Sequence, residues 1–158
     1  MSKVYFISDL HIGHKNILNF AGKYRGGTNL EEHDRWLVDQ WNSVVKKRDT
    51  VWVLGDICMD IRKMYMFNDM LGTKYLCLGN HDKFDIGVYQ KYFKKIIGLS
   101  SYKGFWISHC PMHPQELRKR QGNIHGHVHQ HSLDDDRYYN ACVEMSYGVP
   151  RTLEEVVN

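Results

Sequence analysis

The order of elements predicts an α/β fold, with either one mixed sheet or two sheets packed face to face under helices. Two observations carry this expectation. In the first half, apolar runs of strand length alternate with stretches of helical periodicity, whereas later runs are short and joined by turns. In addition, five apolar runs end alike, on a small residue followed by side chains that can bind metal. Val4–Ser8 leads into Asp9 and His11, and Val51–Gly55 into Asp56. Leu76–Gly79 leads into Asn80, His81 and Asp82, Phe105–Ser108 into His109, and Asn123–Gly126 into His127 and His129. One such string recurs by chance, but five at successive strand ends do not read as accident.

The elements follow in order. After the first strand, His14–Phe20 reads as a short helix starting beside the cluster, where a helix end favours anions, so His14 is a candidate phosphate contact. Gly22–Gly27 reads as a solvated loop, with Arg25 a candidate substrate contact on a flap. Thr28 and Glu31 have capping-box spacing and open a helix over Asn29–Lys47, with Leu30, Leu37, Trp41, Val44 and Val45 as its buried stripe and His33 structural. The second strand leads to a helix over Ile61–Leu71 with Met64, Phe67, Met70 and Leu71 inward. Lys74–Leu78 is the third strand and Phe84–Phe93 a helix. Ile96-Ile97 and Tyr102–Ser108, broken at Lys103-Gly104, read as short strands with a tight turn. Pro111 and Pro114 force irregular backbone before a basic helix over Gln115–Arg120. Tyr138–Val143 is a late strand, and Thr152 with Glu155 caps a final helical turn.

The chain has 158 residues, enough for one domain over 1–158 with a real core. Its formal charge of +3 fits a phosphate-bearing partner without demanding one. The four cysteines, Cys58, Cys77, Cys110 and Cys142, show neither C-x-x-C pairing nor scaffold spacing, and read as reduced thiols of a cytoplasmic protein. Cys58 and Cys110 closely follow Asp56 and His109, where a supporting role fits them better than ligation. Met1-Ser2-Lys3 runs straight into a strand, so no secretory signal is expected, and no run approaches a membrane span.

Ten histidines are the compositional outlier, and most fall near the strand ends. Together Asp9, His11, Asp56, Asn80, His109, His127 and His129 offer two carboxylates, four imidazoles and one amide. That set is too large for one four-coordinate zinc and wrong for an all-oxygen magnesium cage. It suits two borderline transition metals sharing a carboxylate, with Mn²⁺ the expected activator and Ni²⁺, Fe and Zn²⁺ compatible. On a continuing strand, residues i and i+2 face the same side, which would bring His127 beside His129 and Asp9 beside His11. Asp82 is placed to hold the His81 imidazole in one tautomer. His125 is expected to face away, and His113 and His131 to lie in surface loops.

In this order, Asp9-x-His11, Gly55-Asp56, Gly79-Asn80-His81-Asp82, His109 and Gly126-His127-x-His129 resemble the calcineurin-like metallophosphoesterase superfamily. The resemblance runs from about residue 3 to residue 129 and is to its short, capless bacterial and phage members. It implies two mixed β-sheets packed as a sandwich flanked by helices. It also implies a first metal on Asp9, His11 and His129, a second on Asn80, His109 and His127, and Asp56 bridging. A metal-bridging hydroxide would attack phosphorus in line, with His81 as general acid. Family phosphoprotein phosphatases carry Gly-Asp-x-x-Asp-Arg and Gly-Asn-His-Glu. Here Asp56 is followed by Ile57-Cys58-Met59-Asp60-Ile61-Arg62, and Asp82 replaces the Glu, which favours a phosphodiesterase. The expected substrate is a small-molecule or nucleic-acid phosphoester, with no membrane partner. A nuclease is the alternative, tracking a strand with Lys91, Lys94, Lys95 and Arg118-Lys119-Arg120. A non-catalytic interaction module is the third reading.

Overall fold

The computed structural model describes all 158 residues, in nine strands and four α-helices joined by short 3₁₀ turns. The strands are β1 (Val4–Ile7), β2 (Thr50–Val53), β3 (Thr73–Cys77), β4 (Lys95–Ile97), β5 (Leu99–Tyr102), β6 (Phe105–Ser108), β7 (Gly122–His125), β8 (Tyr138–Asn140) and β9 (Arg151–Thr152). The helices are α1 (Ile17–Ala21), α2 (Leu30–Val44), α3 (Ile86–Gln90) and α4 (Leu153–Val157). Two mixed sheets result. The larger runs β4-β3-β2-β1-β9, parallel except at β9, and the smaller runs β5-β6-β7-β8, parallel except at the β5–β6 hairpin. Gly98 alone separates β4 from β5, so the chain passes from one sheet to the other at that point.

Strand alternation sorts the core into two layers. Tyr5, Ile7, Val51, Val53 and Leu76 face α2 and the turn at Ile61–Asn68, meeting Leu37, Trp41, Met64 and Phe67. Phe6, Trp52, Leu54 and Cys77 point the other way and pack on Phe105, Ile107 and Ile124 of the smaller sheet. The two faces of the large sheet are thus both apolar, which is why β1 and β2 read as continuous apolar runs. The Pro111–Arg120 segment lies over the outer face of the small sheet, where Trp106 Nε1 donates to the Glu116 carbonyl and Tyr138 Oη to Met112.

Several expectations shift for identifiable reasons. The cap of α2 is Asn29, whose side chain accepts from Glu32 N–H, while the Glu32 carboxylate accepts from the Thr28 amide before the cap; the N-cap thus lies one residue later than the Thr28–Glu31 spacing implies. Helix α2 stops at Val44, because Val45 is extended. The segment after β2 is 3₁₀ over Ile61–Asn68, since Met64, Phe67 and Met70 recur every third residue, the period of a three-residue turn. Leu71 lies outside that stripe and is exposed. Pro114–Leu117 is likewise a 3₁₀ turn, shorter than the expected Gln115–Arg120 helix, and β8 ends at Asn140 where Val143 begins another 3₁₀ turn. The Lys103-Gly104 turn is as expected: both have positive φ, 47° and 86°, the conformation a two-residue hairpin demands. Thr152 and Glu155 form the capping box of α4. No helix is long and apolar enough to cross a membrane.

Candidate metal centre

Strands β1, β2 and β3 are parallel, so their C-terminal ends share one edge of the sandwich, and β6 and β7 end at the same edge. The chain beyond β1 stays laced to the chain beyond β2, with Asp9 N–H donating to the Gly55 carbonyl and His11 N–H to Asp56. All seven expected donor side chains come together there. Asp9 Oδ1 lies 3.6 Å from His11 Nε2 and 3.8 Å from His129 Nε2. Asp56 Oδ2 lies 3.8 Å from His11 Nε2 and 3.4 Å from His109 Nε2, between the two imidazole groups. On the far side Asn80 Oδ1 is 2.8 Å from His109 Nε2 and 3.1 Å from His127 Nδ1.

Continuing strand geometry does not produce this convergence. Strand β7 ends at His125, and Asp9, His11, Asp56, His127 and His129 all have positive φ, between 53° and 73°. The left-handed region costs a non-glycine residue roughly 1–2 kcal/mol. Five of seven donors therefore sit in strained backbone, each turned individually toward a common point. Two glycines permit the close approach. A Cβ at Gly79 would strike the Asp56 carboxylate and amide, and one at Gly126 would strike Ser8 Oγ and Asp9 Oδ2.

Each carboxylate is pinned by one oxygen and leaves the other to the site. Asp9 Oδ2 accepts from Ser8 Oγ at 2.6 Å, His127 N–H at 2.8 Å and Cys142 Sγ at 3.3 Å, while buried Oδ1 has no hydrogen-bond partner. Asp56 Oδ1 accepts from His81 N–H at 2.9 Å, and its Oδ2 faces the imidazoles. Both nitrogens of the buried His11 ring are also without a partner. Buried polar atoms left unpaired cost about 1–3 kcal/mol each, so such a group calls for an occupant.

The charge pattern agrees. Burial raises the Asp9 carboxyl, but the neighbouring His11 and His109 imidazoles and the Ser8 hydroxyl carry it below the usual carboxylate range. The Asp56 carboxyl is also lowered, against its burial, chiefly by His109. Burial lowers His109, but Asp56 and Asp9 outweigh it and push it up to about 8. Its Nδ1–H donates to the Leu54 carbonyl, so Nε2 is turned toward Asp56 and Asn80, which both present oxygens. That environment needs a positive centre, either a second proton on the ring or a metal ion in its place. Donors of this kind fit a divalent transition metal, and the triads Asp9–His11–His129, Asp9–Asp56–His109 and His109–Cys110–His127 each have donor atoms within 4.8 Å of one another.

Three residues stand elsewhere than expected. Arg25 is not on an open flap but is 3 % exposed, because its guanidinium pairs with Glu144 at 2.7 Å and donates to the Leu10 and Asp9 carbonyls. Asp82 does not touch His81; it accepts from the Asp56, Ile57 and Gly79 amides and ties the loops after β2 and β3 together. Cys58 faces away from the donors and its thiol donates to the Asp60 carbonyl. His81 is exposed, its ring 6.1 Å from that of His11, and the His14 ring lies 5.3 Å from that of His11. His33 is buried among Arg25 and Asp34, and His125 bonds the Gly126 carbonyl beside Tyr138. Sequence reasoning missed Glu144, whose carboxylate accepts from His129 Nδ1–H at 3.2 Å and so aims Nε2 at Asp9. An acid directly following the apolar run Ala141–Val143 was the available signal.

No family model matches the chain. The uncharacterized protein MJ1445 of Methanocaldococcus jannaschii is 34% identical over 144 residues, covering 89% of this chain and 77% of that protein. The chain belongs to the MJ1445 family. A second relative, the gene 66 protein of Mycobacterium phage L5, is 45% identical over 87 residues, 52% of this chain and 41% of the phage protein. The crystal structure of the protein of unknown function AQ665 from Aquifex aeolicus superposes with a TM-score of 0.81 at 27% identity, covering 99% of this chain and 98% of that one. AQ665 therefore shares this architecture along its length, and none of these names specifies an activity. The Pseudomonas putida nuclease MPE reaches a TM-score of 0.48 at 18% identity over 80% of this chain and 61% of that one, a likeness too slight to bear on fold or activity.

Proposed function

We propose that this MJ1445-family protein is a divalent-metal-dependent phosphoesterase, acting on phosphodiesters. The observation that carries the reading is the placement of Asp56 Oδ2 between two imidazole-rich donor groups, beside the buried Asp9 Oδ1 and His11 ring nitrogens, which lack hydrogen-bond partners. Asp9, His11 and His129 would hold one ion and Asn80, His109 and His127 the other, with Asp56 shared. Divalent ions bound there supply Lewis-acid neutralisation of phosphoryl oxygens and a more acidic water.

The chain's own residues do the rest. Ser8 and the His127 amide hold Asp9 by Oδ2 and leave Oδ1 to ligate. Leu54 and Glu144 orient His109 and His129 through Nδ1. Asp82 acts by positioning, since its three amide bonds keep Asp56 and Gly79 in register. His81 is exposed beside His11 and is not one of the donors, so its imidazole is free to protonate the departing oxygen. Two of the basic residues a strand-tracking nuclease would use are engaged: Arg120 lies 3.9 Å over the Trp106 ring, and Lys95 lies over Trp52 and Tyr75.

The test uses diesters with good and poor leaving groups. With Mn²⁺, the protein should hydrolyse bis-p-nitrophenyl phosphate. His81→Asn should keep its metal and lose about 10²–10⁴-fold on an alkyl-leaving diester, with a smaller loss on the nitrophenyl one. An equal loss on both would remove the proton-donor role. No hydrolysis with any divalent metal would overturn the enzymatic reading in favour of an interaction module.

A further inference from the structure

Beside the donor cluster, α1 lays an apolar floor. Ile17 and Ala21 are buried, whereas the Phe20 ring is 70% exposed. Between this floor and the edge formed by His81, Gln130 and His131 lies a cleft of about 330 Å³ that opens onto His11 and His129. Aromatic rings step across it. Phe20 and His14 are 6.1 Å apart between centroids, and His14 and His11 are 5.3 Å apart. The buried Nδ1 of His14 has no hydrogen-bond partner.

The lining restricts the ligand. It holds no carboxylate, so nothing in it recruits a cationic group. It holds no lysine or arginine either, so it is not built for a second phosphate. What it offers is a flat exposed ring, an apolar floor, and polar edges at His14 and Gln130 that can donate and accept. A nucleobase satisfies all three, with a π-face for stacking and an edge for hydrogen bonds. The volume is at the small end of ligand pockets, which run from about 300 Å³, and so suits one nucleoside rather than a duplex.

We propose that this cleft binds the base of a nucleoside phosphate whose phosphoryl group lies at the Asp9–Asp56–His109 centre. The inference rests on the phosphoesterase reading and narrows its substrate class. The same chemistry is offered by a free nucleotide and by the end of a nucleic-acid strand.

The test is calorimetric binding to the Mn²⁺-loaded protein of AMP, the product such a diester would release, against ribose 5-phosphate and inorganic phosphate. Stacking on one aromatic ring supports a preference for AMP of about tenfold or more over ribose 5-phosphate. Phe20→Ala should abolish that preference while leaving ribose 5-phosphate affinity, manganese stoichiometry and thermal unfolding unchanged. Equal binding of AMP and ribose 5-phosphate by the wild type, or a preference that survives Phe20→Ala, overturns the base site and leaves the metal centre standing. Failure to bind manganese and all three ligands overturns both. A trinucleotide ending in the same adenosine 5′-phosphate separates the sources: tighter or equal binding assigns a strand end, and weaker binding a free nucleotide.

Discussion

Asp9 shows at the scale of one residue how the site is made. Its carboxylate is held by Ser8, the His127 amide and Cys142 on one oxygen, and the other oxygen is buried with nothing opposite it. The backbone of Asp9 is left-handed, as it is at His11, Asp56, His127 and His129. Strain and unpaired burial at the same residues are hard to reconcile with a purely structural role, since each costs stability that an apolar replacement would not. Arg25 is the opposite case. Both charges of its pair with Glu144 are fully enclosed, and the guanidinium also satisfies two carbonyls of the Asp9–Leu10 turn. Removing one partner of a buried pair strands the other, at about 3–5 kcal/mol. Arg25→Met should therefore lower unfolding free energy by that amount in urea titrations. A change within about 0.5 kcal/mol, with substrate affinity weakened instead, would return Arg25 to the surface role its loop suggested.

Among the elements, α2 carries a pH dependence of its own. His33 is buried, its Nδ1–H donates to Asp34, and its Nε2 faces the Arg25 guanidinium at 3.1 Å and accepts from it. A second proton would point at a cation in a dry interior. Burial first, and then Arg25, hold the ring below its usual 6.5 in spite of Asp34. The unfolded chain takes up a proton near pH 6.5 and the folded chain does not, so this stability is present above that pH and lost as pH falls below it. The stability margin of wild type over His33→Gln should shrink between pH 7.5 and pH 5, by at most about 1.4 kcal/mol per pH unit. A margin that stays constant would show that His33 is protonated in the folded state.

The same elements show what the sequence made legible. Strand ends and the cap at Thr152 could be read because they depend on local chemistry, namely apolar runs, glycines and hydroxyl spacing. The 3₁₀ character of Ile61–Asn68 was present as the three-residue recurrence of Met64, Phe67 and Met70, but helical and 3₁₀ periods differ too little to separate over eight residues. The donors were visible as residue types, whereas the left-handed turns that aim them were not, since strand alternation predicted the right neighbours by the wrong geometry. Burial of Arg25 depended on Glu144, 119 positions away, and no local pattern announces such a pairing.

Across the whole molecule, the sandwich gives these residues a common edge. Parallel β1, β2 and β3 deliver Asp9, Asp56 and Asn80, and parallel β6 and β7 deliver His109, His127 and His129 from the second sheet. The donor set therefore spans the interface between sheets, and a metal pair held there would tie them together as well as serve chemistry. Anomalous diffraction from crystals grown with Mn²⁺ tests this claim most directly. Two peaks about 3.5–4 Å apart are expected, one among Asp9, His11 and His129, the other among Asn80, His109 and His127, with Asp56 between them. A single peak, or none at this edge while the protein still hydrolyses phosphoesters, would contradict the account.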